Sequence, residues 1–449
     1  MLVQTLATAL VLAQAVLAAR PFLNEPDTGF EGYLSWNLSA SVVIQQSPAQ
    51  QAEGANAPDG QAAAPPAACA PAACAPACGA PTAGRRPDLS SIVSLPDFDA
   101  AARSALPLEN YTYYRNGAAG EWSYRNNLEV FRRFSLRPRV LNDISNVENT
   151  LSTTILGYNF SAPFYISACA RGELAHPEAE SNFVKAAAAQ NLLYMPALFA
   201  SKTIEQIAAD KAQDQVVFQQ LYLTGNETAD DELIKRTEDS GAKAIVFTID
   251  SAADGNRHRA ARFGVGSADS DYSNFTARLH AYGRVALTSD SSSLQWAFFA
   301  KLKARTTLPI ILKGIMTVED AKLAVCHNAS AIVLSNHGGR QLDGAPSALE
   351  VALEIRQEAS YIFDSIEVFA DGGVRYGVDI LMLLSLGVKA VGIGRPFMYA
   401  NMYGQEGVDK AINLMKHEMA LDAGNLGVAD IAKIRGQRIV NWTPNKWMG

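Results

Sequence analysis

From residue 164 onward the chain repeats one pattern eight times: a short continuous apolar run, then a longer amphipathic stretch. The runs are FYISA (164–168), LLYMPA (192–197), VVFQQLYL (216–223), KAIVFTI (243–249), LPIILKG (308–314), AIVLSN (331–336), IEVFADG (366–372) and AVGIG (390–394). A strand with one solvated face alternates polar and apolar residues. Continuous runs rich in β-branched residues instead suit parallel strands buried on both faces. Between them, segments such as EAESNFVKAAAAQ, TIEQIAADKA, VEDAKLAV, ALEVALEIRQ and VDILMLLSL read as helices. Eight such units in about 260 residues match a (β/α)8 barrel. A doubly wound sheet shares the local alternation, but the count of eight and the lack of a GxGxxG after the first strand disfavour it. With a helical stretch from about Asp97 to Arg133, the expected fold is α/β: a (β/α)8 TIM barrel with an N-terminal helical extension, spanning 91–449.

The rest of the chain has a different texture. Residues 47–88 are Ala-, Pro-, Gln- and Gly-rich, and cannot bury enough apolar surface to offset chain entropy. The segment 20–90 is therefore expected to be largely disordered, apart from one or two strands in FEGYLSWNLSASVVI. Residues 1–19, MLVQTLATALVLAQAVLAA, have the form of a secretory signal peptide cleaved near Ala18 or Ala19, although no basic residue precedes the apolar stretch. Asn-x-Ser/Thr sequons at Asn37, Asn110, Asn159, Asn226, Asn274, Asn328 and Asn441 fit the same route, so a secreted glycoprotein is expected. Cys69, Cys74 and Cys78 in the linker have neither paired metal-site spacing nor a nearby histidine, and no metal is expected. A net charge of −7 gives no electrostatic basis for a nucleic-acid partner. No later run reaches the roughly 18 apolar residues of a membrane span. An acidic chain that binds an anion must do so in a local cationic pocket, which makes arginines at strand ends worth locating.

In a barrel of this kind the active site gathers at the C-terminal ends of the strands. Those ends carry Gln220 and Tyr222, Thr248 and Asp250, Lys313, then Ser335, Asn336 and His337. The last two strands end in Asp371-Gly372-Gly373 and Gly392-Ile393-Gly394, each followed closely by an arginine, Arg375 and Arg395. Glycines let backbone N–H groups approach an anion and guanidinium groups neutralise it, so these neighbouring ends read as a phosphate site. In SNHGGRQLDG, a neutral imidazole at His337 can accept a hydroxyl proton near pH 7, and Arg340 offers a planar fork for a carboxylate. The pair points to a substrate bearing both groups. The long stretch after the fourth strand, Ser251 to Asp290, reads as a flap over the barrel mouth.

The string SNHGGRQLDG closely resembles the signature of the FMN-dependent 2-hydroxy acid oxidase and dehydrogenase family, which includes glycolate oxidase, lactate oxidase and the flavin domain of flavocytochrome b2. The resemblance runs from about Tyr111 to Trp442 and includes YTYYRNGAAGEWSYRNN, LRPRVL, AHPEAE, FQQLY, LPIILKGIMTVEDA, DGGVRYGVDI and IGRPF. It implies oxidation of an (S)-2-hydroxy acid such as lactate or glycolate to the 2-oxo acid, with FMN as cofactor and a homotetramer as the assembly. His337 would be the base, with Asp250 raising its pKa by opposite charge. Arg340, Arg257 and Tyr113 would hold the carboxylate, and Tyr222 would sit at the hydroxyl. Lys313 would face N1 and O2 of the flavin, where positive charge favours the anionic reduced ring. Gln220, Thr248 and Ser335 would contact the flavin, with the backbone of Ala168, Cys169 and Ala170 lining its N5 side. Asp371, Gly372, Gly373, Arg375, Gly394 and Arg395 would hold the ribityl phosphate.

The sequence departs from that family's pattern in three places. Cys169 replaces a usual Thr, Ala197 and Leu198 stand where a Ser or Thr is common, and TIDSAADGNRHRAARF lacks the usual Pro-Arg and the acidic residue after the arginine. These leave substrate preference open. No histidine precedes His176, so a fused cytochrome b5 domain is not expected. Dioxygen is the expected electron acceptor, giving hydrogen peroxide. A quinone or other acceptor, or a catalytically silent flavoprotein, are the alternatives.

Overall fold

The computed structural model of the protein describes residues 86–263, 265 and 293–444. Eight parallel strands lie in the eight expected runs: β1 (Phe164–Ile166), β2 (Leu193–Tyr194), β3 (Phe218–Leu221), β4 (Ala244–Thr248), β5 (Ile310–Ile315), β6 (Ala331–Leu334), β7 (Glu367–Asp371) and β8 (Ala390–Ile393). From β3 to β8 each pairs with its chain neighbour, β8 pairs back onto β1, and β1 onto β2. A parallel bridge between Tyr194 and Val217 links β2 to the entrance of β3 and closes the ring.

The runs are continuous because both faces of every strand are buried. One set of alternating side chains, including Tyr165, Leu193, Phe218, Val246, Ile311, Val333 and Phe369, fills the barrel interior. The other set, including Phe164, Ile166, Ile245, Leu312, Ile332 and Val391, packs outward in the larger core with the helices. The period of two is present but invisible as polarity. An unexpected hairpin, Thr153–Ile155 with Tyr158–Phe160, adds Ile155 and Phe160 to the interior cluster. Its turn is held where Leu156 N–H donates to the Glu367 carboxylate at the start of β7, so it caps the end of the barrel opposite the strand C-termini.

The helical extension is three helices: α1 (Leu95–Ala105), α2 (Leu108–Arg115) and α3 (Trp122–Glu129). Pro107 cannot continue α1 because it has no N–H to donate. Between α2 and α3 a loop, residues 116–121, ends on Glu121 in the left-handed conformation, φ 60°. Packing already begins at Arg86, ahead of residue 91, where its guanidinium donates to Met402 O at 2.6 Å. At the other end Val440–Asn441 pairs antiparallel with Ser135–Leu136. No described helix is long and apolar enough to cross a membrane. The signal-like start, the linker with its three cysteines, the FEGYLSWNLSASVVI segment, and most of the loop after β4 with Asn274 lie outside the described residues. Of the sequons inside, Asn159, Asn226, Asn328 and Asn441 are exposed, and Asn110 is half-buried with its amide donating to Leu174 O.

Candidate active site

The C-terminal ends of the strands open into a cleft enclosing about 990 Å3 of space that reaches solvent. The anticipated residues Tyr113, Cys169, Ala170, Gln220, Tyr222, Arg257, Lys313, His337 and Arg340 line it. So do Asp371, Gly372, Gly373, Arg375, Gly394 and Arg395. Asp250, Thr248, Ser335 and Ala168 are not on its wall; the first three stand behind it and hold residues that are.

The centre is a polar chain built on strand ends. His337 Nδ1 lies 2.9 Å from Asp250 Oδ1, across from β6 to β4. That leaves Nε2 as the other ring nitrogen available to a ligand. His337 has φ 58° and is followed by Gly338 and Gly339 at φ 64° and 74°. Three consecutive left-handed residues turn the chain sharply at the end of β6, and the Ser335 hydroxyl accepts the His337 N–H at 3.1 Å. Ser335 also accepts from Lys313 Nζ at 3.2 Å and donates to Asp371 Oδ1 at 2.6 Å. Lys313 Nζ is 4.0 Å from Asp250 Oδ2, an oxygen that is buried with no hydrogen-bond partner among the described residues. One lysine thus sits between two carboxylates.

These charges set the protonation states. Burial alone would push Asp250 up, but His337 and Lys313 outweigh it and hold the carboxylate below its ordinary range. Burial pulls Lys313 down, yet Asp250 and Asp371 together hold it above. For His337 the upward pull of Asp250 is present as expected, but it does not set the sign. Enclosure in the cleft lowers its pKa, Lys313 and Arg257 lower it further, and the opposing pull of Asp250 does not make up the difference. The imidazole is therefore neutral at physiological pH, the state a base requires.

Two arginines crowd one end of the cleft. Arg340 donates from Nη1 to Tyr113 O at 3.0 Å, and Arg257 donates from Nε to Arg340 O at 3.2 Å and from Nη2 to Gln341 Oε1 at 2.6 Å. Burial and the neighbouring Arg257 push the Arg340 guanidinium down to about 9. Two enclosed like charges favour an anion between them. Phe199 stacks on Tyr222, ring centroids 5.3 Å apart, at the edge of this region.

The other end is made by glycine. Gly372 and Gly373 have φ 106° and 83°. A side chain on Gly373 would place its Cβ 1.9 Å from Asn127 O, and one on Gly394 would place it 3.1 Å from Cys169 Sγ. Arg375 lines this end, its backbone N–H held by Asp379 Oδ2 at 2.9 Å. Arg395 also lines this end. Its guanidinium donates to Tyr114 O, Gly338 O and Asn116 O at 2.7, 3.0 and 2.8 Å, and stacks over Tyr124. It ties α2 and its following loop to the turn after His337, with three of its five N–H donors engaged by carbonyls. The Cys169 thiol is pushed up by burial, against the pull of Arg395 and Arg340, and stays protonated.

Sequence reasoning gave no role to several supporting residues, although Asn336 was among the strand-end residues it named. Asn127 and Asn336 exchange two amide hydrogen bonds at 2.8 Å each, locking α3 to the end of β6. Gln341 braces Arg257 and also donates to Asp250 O and Ala253 O. Ser167 places a buried hydroxyl at the cleft wall with no partner among the described residues. Asn127 lies in the YRNN string and Gln341 in GGRQ, but neither spacing says what the amide touches.

The residues present fit FMN. A glycine-built end with Arg375 suits a phosphate, Lys313 suits a ring that gains negative charge, and Gln220, held by donating to Thr248 Oγ1 at 3.0 Å while accepting from Leu198 N–H, presents amide edges to a polar ring.

Residues 102–441 match the family model described as FMN-dependent dehydrogenase. A peroxisomal (S)-2-hydroxyacid oxidase of Arabidopsis thaliana is 36% identical over 354 residues, covering 77% of this chain and 96% of the relative. The L-lactate dehydrogenase (cytochrome) of Wickerhamomyces anomalus is 36% identical over 356 residues, covering 78% of this chain. The match spans 62% of that relative's length. Among solved structures, the recombinant flavin-binding domain of baker's yeast flavocytochrome b2 superposes with a TM-score of 0.72 at 34% identity, covering 81% of this chain and 90% of that one. The chain belongs to the FMN-dependent dehydrogenase family.

Proposed function

We propose that the protein oxidises a small (S)-2-hydroxy acid to the 2-oxo acid. The observation that carries this reading is the neutral His337 imidazole, hydrogen-bonded to the Asp250 carboxylate, beside two enclosed arginines. Arg340 and Arg257 bind the substrate carboxylate, with the Tyr113 hydroxyl as an additional donor. That places the 2-hydroxyl toward His337 Nε2, which takes its proton. The resulting imidazolium is stabilised by Asp250, whose ionised state is held in place by Lys313. Tyr222 orients the hydroxyl as it becomes a carbonyl. What FMN supplies when bound is a two-electron acceptor for the hydride leaving C2. Gly372, Gly373, Arg375 and the backbone at Gly394 and Arg395 would hold its phosphate, and Lys313 would hold the ring.

The test is anaerobic mixing with (S)-lactate, glycolate and mandelate while following flavin absorbance. The wild type is expected to bleach, and His337→Gln to retain FMN but lose roughly 10²–10⁴-fold in rate. An unchanged rate in that variant would remove His337 from the role of base. Dioxygen is the proposed terminal acceptor, supported by the 96% coverage of the plant oxidase. Slow reoxidation of the bleached protein in air would point instead to another acceptor. The signal-like start and the exposed sequons support export. An intact Met1 on protein recovered from the native source would refute it.

A further inference from the structure

The arginines that face the cleft rest on a second ionic cluster one layer back. Glu121, only 5% exposed, collects four donors. Gly117 N–H donates to it at 3.0 Å, Arg259 donates twice, from Nε at 2.9 Å and Nη2 at 2.7 Å, and Arg115 donates from Nη1 at 3.4 Å. Arg115 is 1% exposed and stacks 3.8 Å over the Tyr124 ring, so its position is fixed. Arg259 lies in a short helix, His258–Arg262, in the segment that follows β4, two residues beyond Arg257. The loop that ends on Glu121 reaches both arginine-bearing loops through its backbone. Ala119 N–H donates to Asn256 O at 2.7 Å, beside Arg257, and Ala118 N–H donates to Gly339 O at 2.8 Å, beside Arg340.

We propose that Glu121, acting through Arg259, is a positioning residue that aims Arg257 at the substrate carboxylate. This rests on the hydroxy acid reading above. Among the described residues Arg257 itself is anchored by neutral acceptors alone, Arg340 O and Gln341 Oε1, and these fix its guanidinium rather than the chain that carries it. The chain is fixed by the bidentate Arg259–Glu121 pair, a geometry that restrains direction as well as distance. A lost carboxylate would leave Arg115 and Arg259 enclosed as uncompensated like charges and drive the Arg259 segment outward. Arg257 would move with it, since one residue separates them. None of these groups touches the reacting atoms, so the effect falls on binding of the anion.

The experiment uses the FMN-loaded full chain with Glu121→Gln, Arg259→Met and the double variant. For Arg259→Met the expected result is a KM for (S)-lactate raised by roughly tenfold or more, with kcat changed by less than about threefold and FMN retained. The dissociation constant of oxalate, read by calorimetry without turnover, should rise by the same factor. The double variant should be no worse than the poorer single variant, because the two residues act as one unit. An unchanged KM and oxalate affinity in folded Arg259→Met overturns the proposal. So does a parallel fall in kcat with loss of FMN, which would mark a merely structural role; because Arg259→Met leaves Arg115 its carboxylate, this variant remains informative if Glu121→Gln does not fold. A wild type that binds oxalate but is bleached by no hydroxy acid refutes the hydroxy acid reading alone, since the oxalate comparison between variants still reads the positioning of Arg257.

Discussion

At the β7–β8 end of the cleft the contact surface is largely backbone, flanked by Arg375 and Arg395, whereas at the β3–β6 end it is side chain. The first is made by Gly372, Gly373 and Gly394, packed so closely against Asn127 and Cys169 that no Cβ fits on Gly373. The second is made by Arg257, Arg340, His337 and Tyr222, long groups carried on loops and aimed by other side chains. Backbone cannot be re-aimed without moving a strand, so a site of that kind suits a ligand that stays. A side-chain site is adjustable in both affinity and shape, and suits a ligand that arrives and leaves each turnover. The departures from the family pattern touch both ends: Cys169 packs against Gly394 at the glycine end, and Ala197 and the altered segment after β4, which carries Arg257, line the rest of the cleft, while DGGVR and IGRP are intact.

The comparison can be broken most severely at Gly373. Gly373→Ala forces a Cβ to within 1.9 Å of Asn127 O at a φ of 83°, and is expected to yield protein that retains no FMN on purification. A yellow, active Gly373→Ala protein would show that the glycine end is looser than its packing implies. Arg340→Met tests the opposite end: FMN should remain bound while kcat/KM falls by roughly 10- to 150-fold, from loss of charge-assisted hydrogen bonds of about 1.5–3 kcal/mol. Loss of flavin in that variant would erase the division between the two ends.

A finer test is pH. Because enclosure lowers the His337 pKa, the base takes up its inhibiting proton only below pH 6.5, and the acid limb of kcat/KM in the wild type should lie there. Asp250 pulls that pKa up, so Asp250→Asn should move the limb to still lower pH while reducing kcat, since the imidazolium loses its counter-charge. A limb that moves upward would contradict the charge balance. The smallest effect belongs far from both ends. Thr203 caps the helix Ile204–Ala209 by accepting from Gln206 N–H, and Thr203→Ala should cost about 1 kcal/mol in a denaturant titration without altering KM or FMN affinity.

The eight strands were legible because burial on both faces leaves a composition signal that needs no tertiary knowledge. The hairpin 153–160 was not, since it contributes only Ile155 and Phe160 to the core and three-residue strands carry no period. Pro107 marked the break between α1 and α2, yet a helical texture on both sides hid it. Most of the site residues were named from strand ends and motif spacing, which fix where a residue sits but not where its side chain points. Arg395 illustrates the limit: its spacing is that of a phosphate ligand, but spacing does not say that three of its five N–H donors are given to carbonyls. The His337 pKa illustrates another. Its sign is a sum over burial, two charges in the segment after β4 and one on β5, and no single motif holds that sum.

The reciprocal amide pair between Asn127 and Asn336 joins residues 209 positions apart, and Arg395 reaches Asn116 across 279. During synthesis the α2–α3 segment therefore emerges long before anything it must grip. At 5–20 residues per second, Asn127 waits on the order of 10–40 s for its partner. The active site is thus complete only once residue 395 has been made, although its first contributor leaves the ribosome early. Contacts of such range are slow to form and expose apolar surface while they do. A chain halted before β6 holds an unfinished mouth with α2 and α3 unpaired, and that interval is when such a nascent chain most needs shielding.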